Sequence, residues 1–103
     1  MSEEQAVIVH FAYGTTDLQP LFMLESQLEE VLAKTKVGEL DGNEVALDGS
    51  DAYLYLYGLD ADVLLEAIRP TLLAAPFMKQ ASAKKVYGEL GSDVQRVEVE
   101  LVP

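Results

Sequence analysis

One histidine, His10, and the alternating tyrosines Tyr53, Tyr55 and Tyr57 of the stretch DAYLYLYG are the side chains of this sequence best suited to chemistry. An imidazole beside phenols can pass protons, or it can hold a ligand through hydrogen bonds and ring stacking. The partners that nucleophilic catalysis needs are missing. There is no cysteine, which excludes a thiolate nucleophile, a disulfide framework and a thiolate metal site. The chain also lacks a G-x-S-x-G elbow, a Walker loop, a G-x-G-x-x-G turn and an H-E-x-x-H helix. Asp41-Gly-Asn-Glu44 and Asp60-Ala-Asp62 would approach one another if Asp41 lies opposite Gly58, giving oxygen ligands for Mg²⁺ or Ca²⁺. Both stretches have simpler roles, as a turn and as a helix cap. No catalytic residue, metal site or cofactor is assigned.

Charge narrows the partners. Eighteen Asp and Glu against seven Lys and Arg give a formal charge of −11, which repels phosphate backbones and anionic lipid. From Val37 to Ile68 the chain has acids (Glu39 and Asp41 through Asp62 and Glu66) and no Lys or Arg. Such a stretch is either a solubilising surface or a docking face for a basic protein. The tyrosine strand faintly resembles the aromatic strand of an RNA-recognition fold, but the basic lead residue and interleaved glycine are missing, so nucleic acid is excluded. No run reaches the roughly 18 apolar residues of a membrane span. The amino-terminal acids Glu3 and Glu4 stand where a signal peptide carries bases. A soluble, cytoplasmic protein with no membrane partner is expected.

The elements that must position these groups follow from periodicity. Ala6 to Tyr13 alternates as a first strand, closed by Gly14. Thr15, Thr16 and Asp17 offer N-caps to a helix from Leu18 to Lys36 with Leu21, Leu24, Leu28, Val31 and Leu32 on one stripe, and Gly38 supplies its stop. Glu39 to Leu47 is extended and leads through Asp48-Gly49-Ser50-Asp51, a turn, into the tyrosine strand. Asp60 caps a second helix whose face is Ala61, Leu64, Leu65, Ile68 and Leu72, with Pro70 expected to kink it or end its regular part. Ala83 to Gly88 and Val94 to Leu101 read as two final strands around a turn at Gly91-Ser92-Asp93. The 103 residues form one expected domain, 1–103, of order βαββαββ. That order predicts an α+β fold, a ferredoxin-like α/β plait with two helices on one face of an antiparallel sheet.

Pleat parity then decides where the tyrosines point. Pairing Asp48 with Asp51 sets Leu47 against Ala52, Val45 against Leu54 and Glu44 against Tyr55, and cross-strand neighbours share a face. A charged Glu44 is too costly to bury under helices, so Val45, Leu47, Leu54 and Leu56 belong to the core. The open side gathers His10, Glu44, Tyr53, Tyr55 and Tyr57 as the candidate binding site, with Tyr87 as an added member. An exposed aromatic strip of this type is characteristic of interaction surfaces.

Residues Gly38 to Pro70, with their D-G-N-E, L-Y-x-Y-G-x-D-A-D and I-[KR]-P pattern, resemble a family of small uncharacterised bacterial proteins. The resemblance implies a bacterial source and a small domain, and no activity. The preferred reading is a non-enzymatic, acidic protein-binding module, inhibitor-like or immunity-like, that docks a basic partner or self-associates through its tyrosine face. The alternative is a homodimeric α+β barrel that binds or converts a small molecule in a pocket near His10.

Overall fold

The computed structural model describes residues 4–78, 80–88 and 93–101. It is an α+β structure: strand β1 (Gln5–Phe11), helix α1 (Gln19–Thr35), β2 (Glu39–Val45), β3 (Ala52–Gly58), helix α2 (Ala61–Ala74), a short 3-10 turn at Pro76–Met78, β4 (Ser82–Val86) and β5 (Arg96–Glu100). The strands make one antiparallel sheet of order β2-β3-β1-β4-β5. The expected turn at Gly91-Ser92-Asp93 lies mostly outside the described residues. No helix among the described residues is long and apolar enough to cross a membrane.

One face of the sheet and both helices enclose the core. Val7, Val9 and Phe11 of β1, with Leu54 and Leu56 of β3, meet Leu21, Leu24, Leu28 and Leu32 of α1 and Leu64, Leu65, Ile68 and Leu72 of α2. The helical residues recur at three- and four-residue steps, so each helix turns one stripe inward. Each fully buried Leu or Ile contributes about 1.5–3 kcal/mol relative to exposure.

Several local expectations are corrected. Helix α1 begins without a side-chain cap at its N-cap, Leu18. The Tyr13 phenol does that job instead: it donates to the Asp17 carbonyl and accepts from the Leu21 N–H at 3.2 Å, satisfying one of the donors every helix start leaves over. Asp17 adds a bond from Gln19 N–H at 3.1 Å. The helix ends on Lys36 in the left-handed region (φ 58°), not on Gly38. Gly38 is needed for proximity, because a Cβ there would lie 2.4 Å from the Tyr57 carbonyl oxygen. Pro70 does not end α2, which continues to Ala74. The Asp60 cap is present, accepting from Asp62 and Val63 N–H at 2.9 and 3.2 Å, while Gln5 Oε1 takes the Ala61 N–H at 2.8 Å.

The hairpin register also differs by two residues. Val45 pairs with Ala52 and Glu44 with Tyr53, because the turn is wider than Asp48–Asp51: Ala46 N–H reaches the Asp51 carbonyl and Gly49 N–H the Ala46 carbonyl. Leu47 therefore sits in the turn, fully exposed, and not in the core. A bulge between Leu40 and Gly42 takes up Asp41, so Asp41 is not opposite Gly58 and the two acidic stretches are not aligned as ligands. A shift of two preserves parity, which is why Glu44 still shares the tyrosine face.

On the helix side, Asp62 fastens α2 to β4. One carboxylate oxygen accepts from Lys85 Nζ at 2.8 Å and from the Tyr87 hydroxyl at 2.7 Å, so Tyr87 belongs to the covered side and not to the open face. The Lys85 bond, then the Tyr87 bond, holds the Asp62 carboxyl below its ordinary range, and the same contacts raise the Lys85 ammonium. A lowered acid contributes stability above its unfolded pKa and loses it as pH falls through the folded value. A raised base loses its contribution only as pH rises through its folded value. Asp62→Asn should therefore lower the urea midpoint at pH 7, and the difference from the native chain should close as the pH is taken below the native Asp62 pKa.

Candidate binding face and groove

The uncovered face of the sheet is read directly from the strand pairing. Across it run three rows: Glu44, Tyr53, His10, Ser82 and Glu100; Gly42, Tyr55, Ile8, Lys84 and Glu98; and Glu39, Tyr57, Ala6, Val86 and Arg96. His10, Glu44, Tyr53, Tyr55 and Tyr57 are thus brought together on one side. Leu54 and Leu56, which alternate with the tyrosines, are fully buried on the other. The face is not evenly open: Tyr53 is 36% exposed, while Ala6 and Val86, opposite one another in the third row, are buried.

The row is held in place by its own contacts. His10 stacks on Tyr53 at 4.7 Å between ring centroids, and Tyr53 stacks on Tyr55 at 6.2 Å. The Tyr55 hydroxyl donates to Glu44 Oε1 at 3.0 Å. His10 Nε2 lies 3.1 Å from Asp51 Oδ1, and since an ionised carboxylate only accepts, Nε2 carries the hydrogen. Asp51 is in position because the turn that carries it is tied to the end of β1, with Tyr13 N–H on the Ser50 carbonyl (3.1 Å) and Gly14 N–H on the Gly49 carbonyl (2.7 Å).

Electrostatics decide what the phenols can do. Partial burial, followed by the Glu44 bond, raises the Tyr55 hydroxyl, and burial followed by the Asp41 and Glu4 charges raises that of Tyr57. Both stay neutral at physiological pH. They are hydrogen-bond donors and stacking surfaces, and not bases.

Tyr57 also leads to a feature the sequence reading did not include. An open groove of about 850 Å³ lies where the end of α1, the start of β2, the end of β3 and the start of α2 converge. Its apolar floor includes Leu32, Val37 and Leu40, and its rim carries Glu4, Glu29, Glu39 and Asp60 beside Lys36. The exposed Leu59 and Val63 flank it. The only sequence sign was the pair Gly38 and Gly58: the backbones meet so closely there that a Cβ on Gly58 would lie 2.4 Å from the Val37 carbonyl oxygen.

The acidic stretch from Glu39 to Glu66 does not form one surface. Glu44 and Asp51 border the His10 end of the face, Glu39 and Asp60 border the groove, and Asp62 is engaged by Lys85 on the covered side. No protein-family model matches this chain, and no curated protein matches it.

Proposed function

We propose that this chain is a non-catalytic binding module that recognises a protein partner through the tyrosine row and the groove at its Tyr57 end, and that the partner presents basic side chains. The observation that carries this reading is the pre-arranged row: stacked rings and neutral phenol donors, anchored by Glu44 and Asp51, need little further ordering to bind. Tyrosine on a rigid strand gives large amphipathic contact area at low entropic cost. Acids stand at both ends of the row, where lysine or arginine heads could pair while their stems lie on the rings or in the groove. An inhibitor-like or immunity-like role suits such a surface. Stacking of two tyrosine faces from two copies would bring like-charged borders together, which favours a partner of opposite charge.

The strand order β2-β3-β1-β4, with both helices on one side, we read as a ferredoxin-like plait to which β5 adds an edge. In that arrangement β3 and β1 are central, so the tyrosines and His10 occupy the middle of the sheet.

The test begins with partners captured at low salt from a bacterial lysate and re-made in pure form. Affinity should fall at least about tenfold between 0.05 and 0.5 M salt, because attraction between exposed charges is screened beyond about 8 Å at physiological ionic strength. Tyr53→Ala and Tyr55→Ala should each weaken binding by about tenfold or more, as central aromatic truncations do. A partner bound equally at all salt concentrations and by both variants overturns the proposal.

A further inference from the structure

The two outer strands of the sheet are not alike. β2 is interrupted by the bulge at Asp41 and carries Gly42, features that twist an edge away from further pairing. β5 is regular from Arg96 to Glu100, with neither glycine nor proline, and among the described residues no strand pairs with its outer side. Its backbone orientation follows from the bonds to the inner strand: Leu101 N–H donates to the Ala81 carbonyl and Tyr87 N–H to the Gln95 carbonyl. Directions alternate along a strand, so residues 95, 97, 99 and 101 turn toward β4, and Arg96, Glu98 and Glu100 turn their N–H and C=O groups outward.

We infer that β5 pairs antiparallel with β5 of a second copy of this chain, about a two-fold axis at Glu98, to continue the sheet across a homodimer. In this register Arg96 faces Glu100 of the second copy, twice by symmetry, and the outward groups of all three residues form hydrogen-bonded pairs, about six backbone bonds in all. The side chains agree in sign as well as in spacing. Each Arg96 meets an opposite charge on the open face, and Val97 meets Val99 on the helix side, where both are only half-buried in one copy. Glu98 meets its own copy, the one like-charged contact, but Lys84 stands directly across from it on β4 and compensates on both sides. Arg96 also donates from Nη1 to the Val94 carbonyl at 3.2 Å; the inference uses its charge, and a guanidinium has five donors to distribute. This inference is independent of the proposed partner surface, which remains outside the new contact.

Sedimentation velocity at 0.15 M salt tests it, since the −11 charge of each chain is then largely screened over longer distances. The native chain should run at twice its 11.3 kDa mass at about 100 µM. Arg96→Glu and Glu100→Arg should each weaken the dimer at least about tenfold while leaving the circular dichroism unchanged. An equimolar mixture of those two variants should dimerise again, because each then presents the charges the other needs. Glu98→Gln should tighten the dimer by removing the like pair. A native chain that stays monomeric, a dimer indifferent to both reversals, or a mixture that stays monomeric when each variant does, overturns the inference. Loss of the dimer in Tyr55→Ala but not in the charge variants overturns it too, and assigns association to the tyrosine face.

Discussion

Leu54→Ala is expected to destabilise the chain by about 2–5 kcal/mol, whereas Tyr55→Ala, one residue along the same strand, should cost only about 1 kcal/mol. Leu54 has no exposed surface and lies in the core beneath both helices, so truncation leaves a cavity that the helices can only partly fill. Tyr55 stands on the opposite face, where its ring is half-exposed and its hydroxyl makes one bond, to Glu44. Against a typical total of about 5–15 kcal/mol, the first change removes a large share of stability and the second does not. Urea unfolding of the two variants, read as a change in midpoint at constant slope, is the check. Equal losses would mean that the parity assigned to this strand is wrong. The comparison also makes Tyr55→Ala a clean reagent for binding experiments, since the variant is expected to stay folded.

Gly49→Ala should be the other severe change, at about 3 kcal/mol or more. The residue has φ 75°, where a Cβ costs about 1–2 kcal/mol by itself. The added atom would also lie 2.2 Å from the Thr15 carbonyl oxygen, which is backbone and cannot swing aside. Relief requires the turn to lift from the end of β1, which breaks the bonds of Tyr13 to Ser50 and Gly14 to Gly49 at about 0.5–1.5 kcal/mol each. Gly42→Ala is the control: a Cβ there meets nothing within 4 Å and φ is not positive, so the change should stay under about 1 kcal/mol. Thermal unfolding of both variants measures the contrast. Because the same turn carries Asp51, Gly49→Ala should also weaken the contact that orients His10.

What was legible in the sequence was whatever local periodicity controls. The leucine stripes of both helices, the Asp60 cap and the alternation of Tyr53 to Tyr57 each depend on residues close in the chain, and each survived. The misplacements came from distant contacts. Nothing near Thr15 announces that a phenol eight residues before Leu21 will complete the first turn of α1, and nothing near Leu47 announces that Ala46 will bond to Asp51 and widen the hairpin. The candidate face lost Tyr87 to the helix side, where it bonds to Asp62, but kept His10, Glu44, Tyr53, Tyr55 and Tyr57, because a two-residue slip leaves every side chain on its side of the sheet; a slip of one would have exchanged Glu44 for Val45. The groove was beyond reach because it forms where four elements converge, and only Gly38 and Gly58 hinted at the closeness of that junction.

The bulge at Asp41 has a consequence for how far this sheet can extend. A layer with regular strands at both rims can recruit copy after copy and lengthen into a fibre, whereas one whose rim is kinked on the β2 side can accept a newcomer only at β5. Under the β5 pairing inferred above, growth would stop at a pair, with the extra residue at position 41 as its terminator.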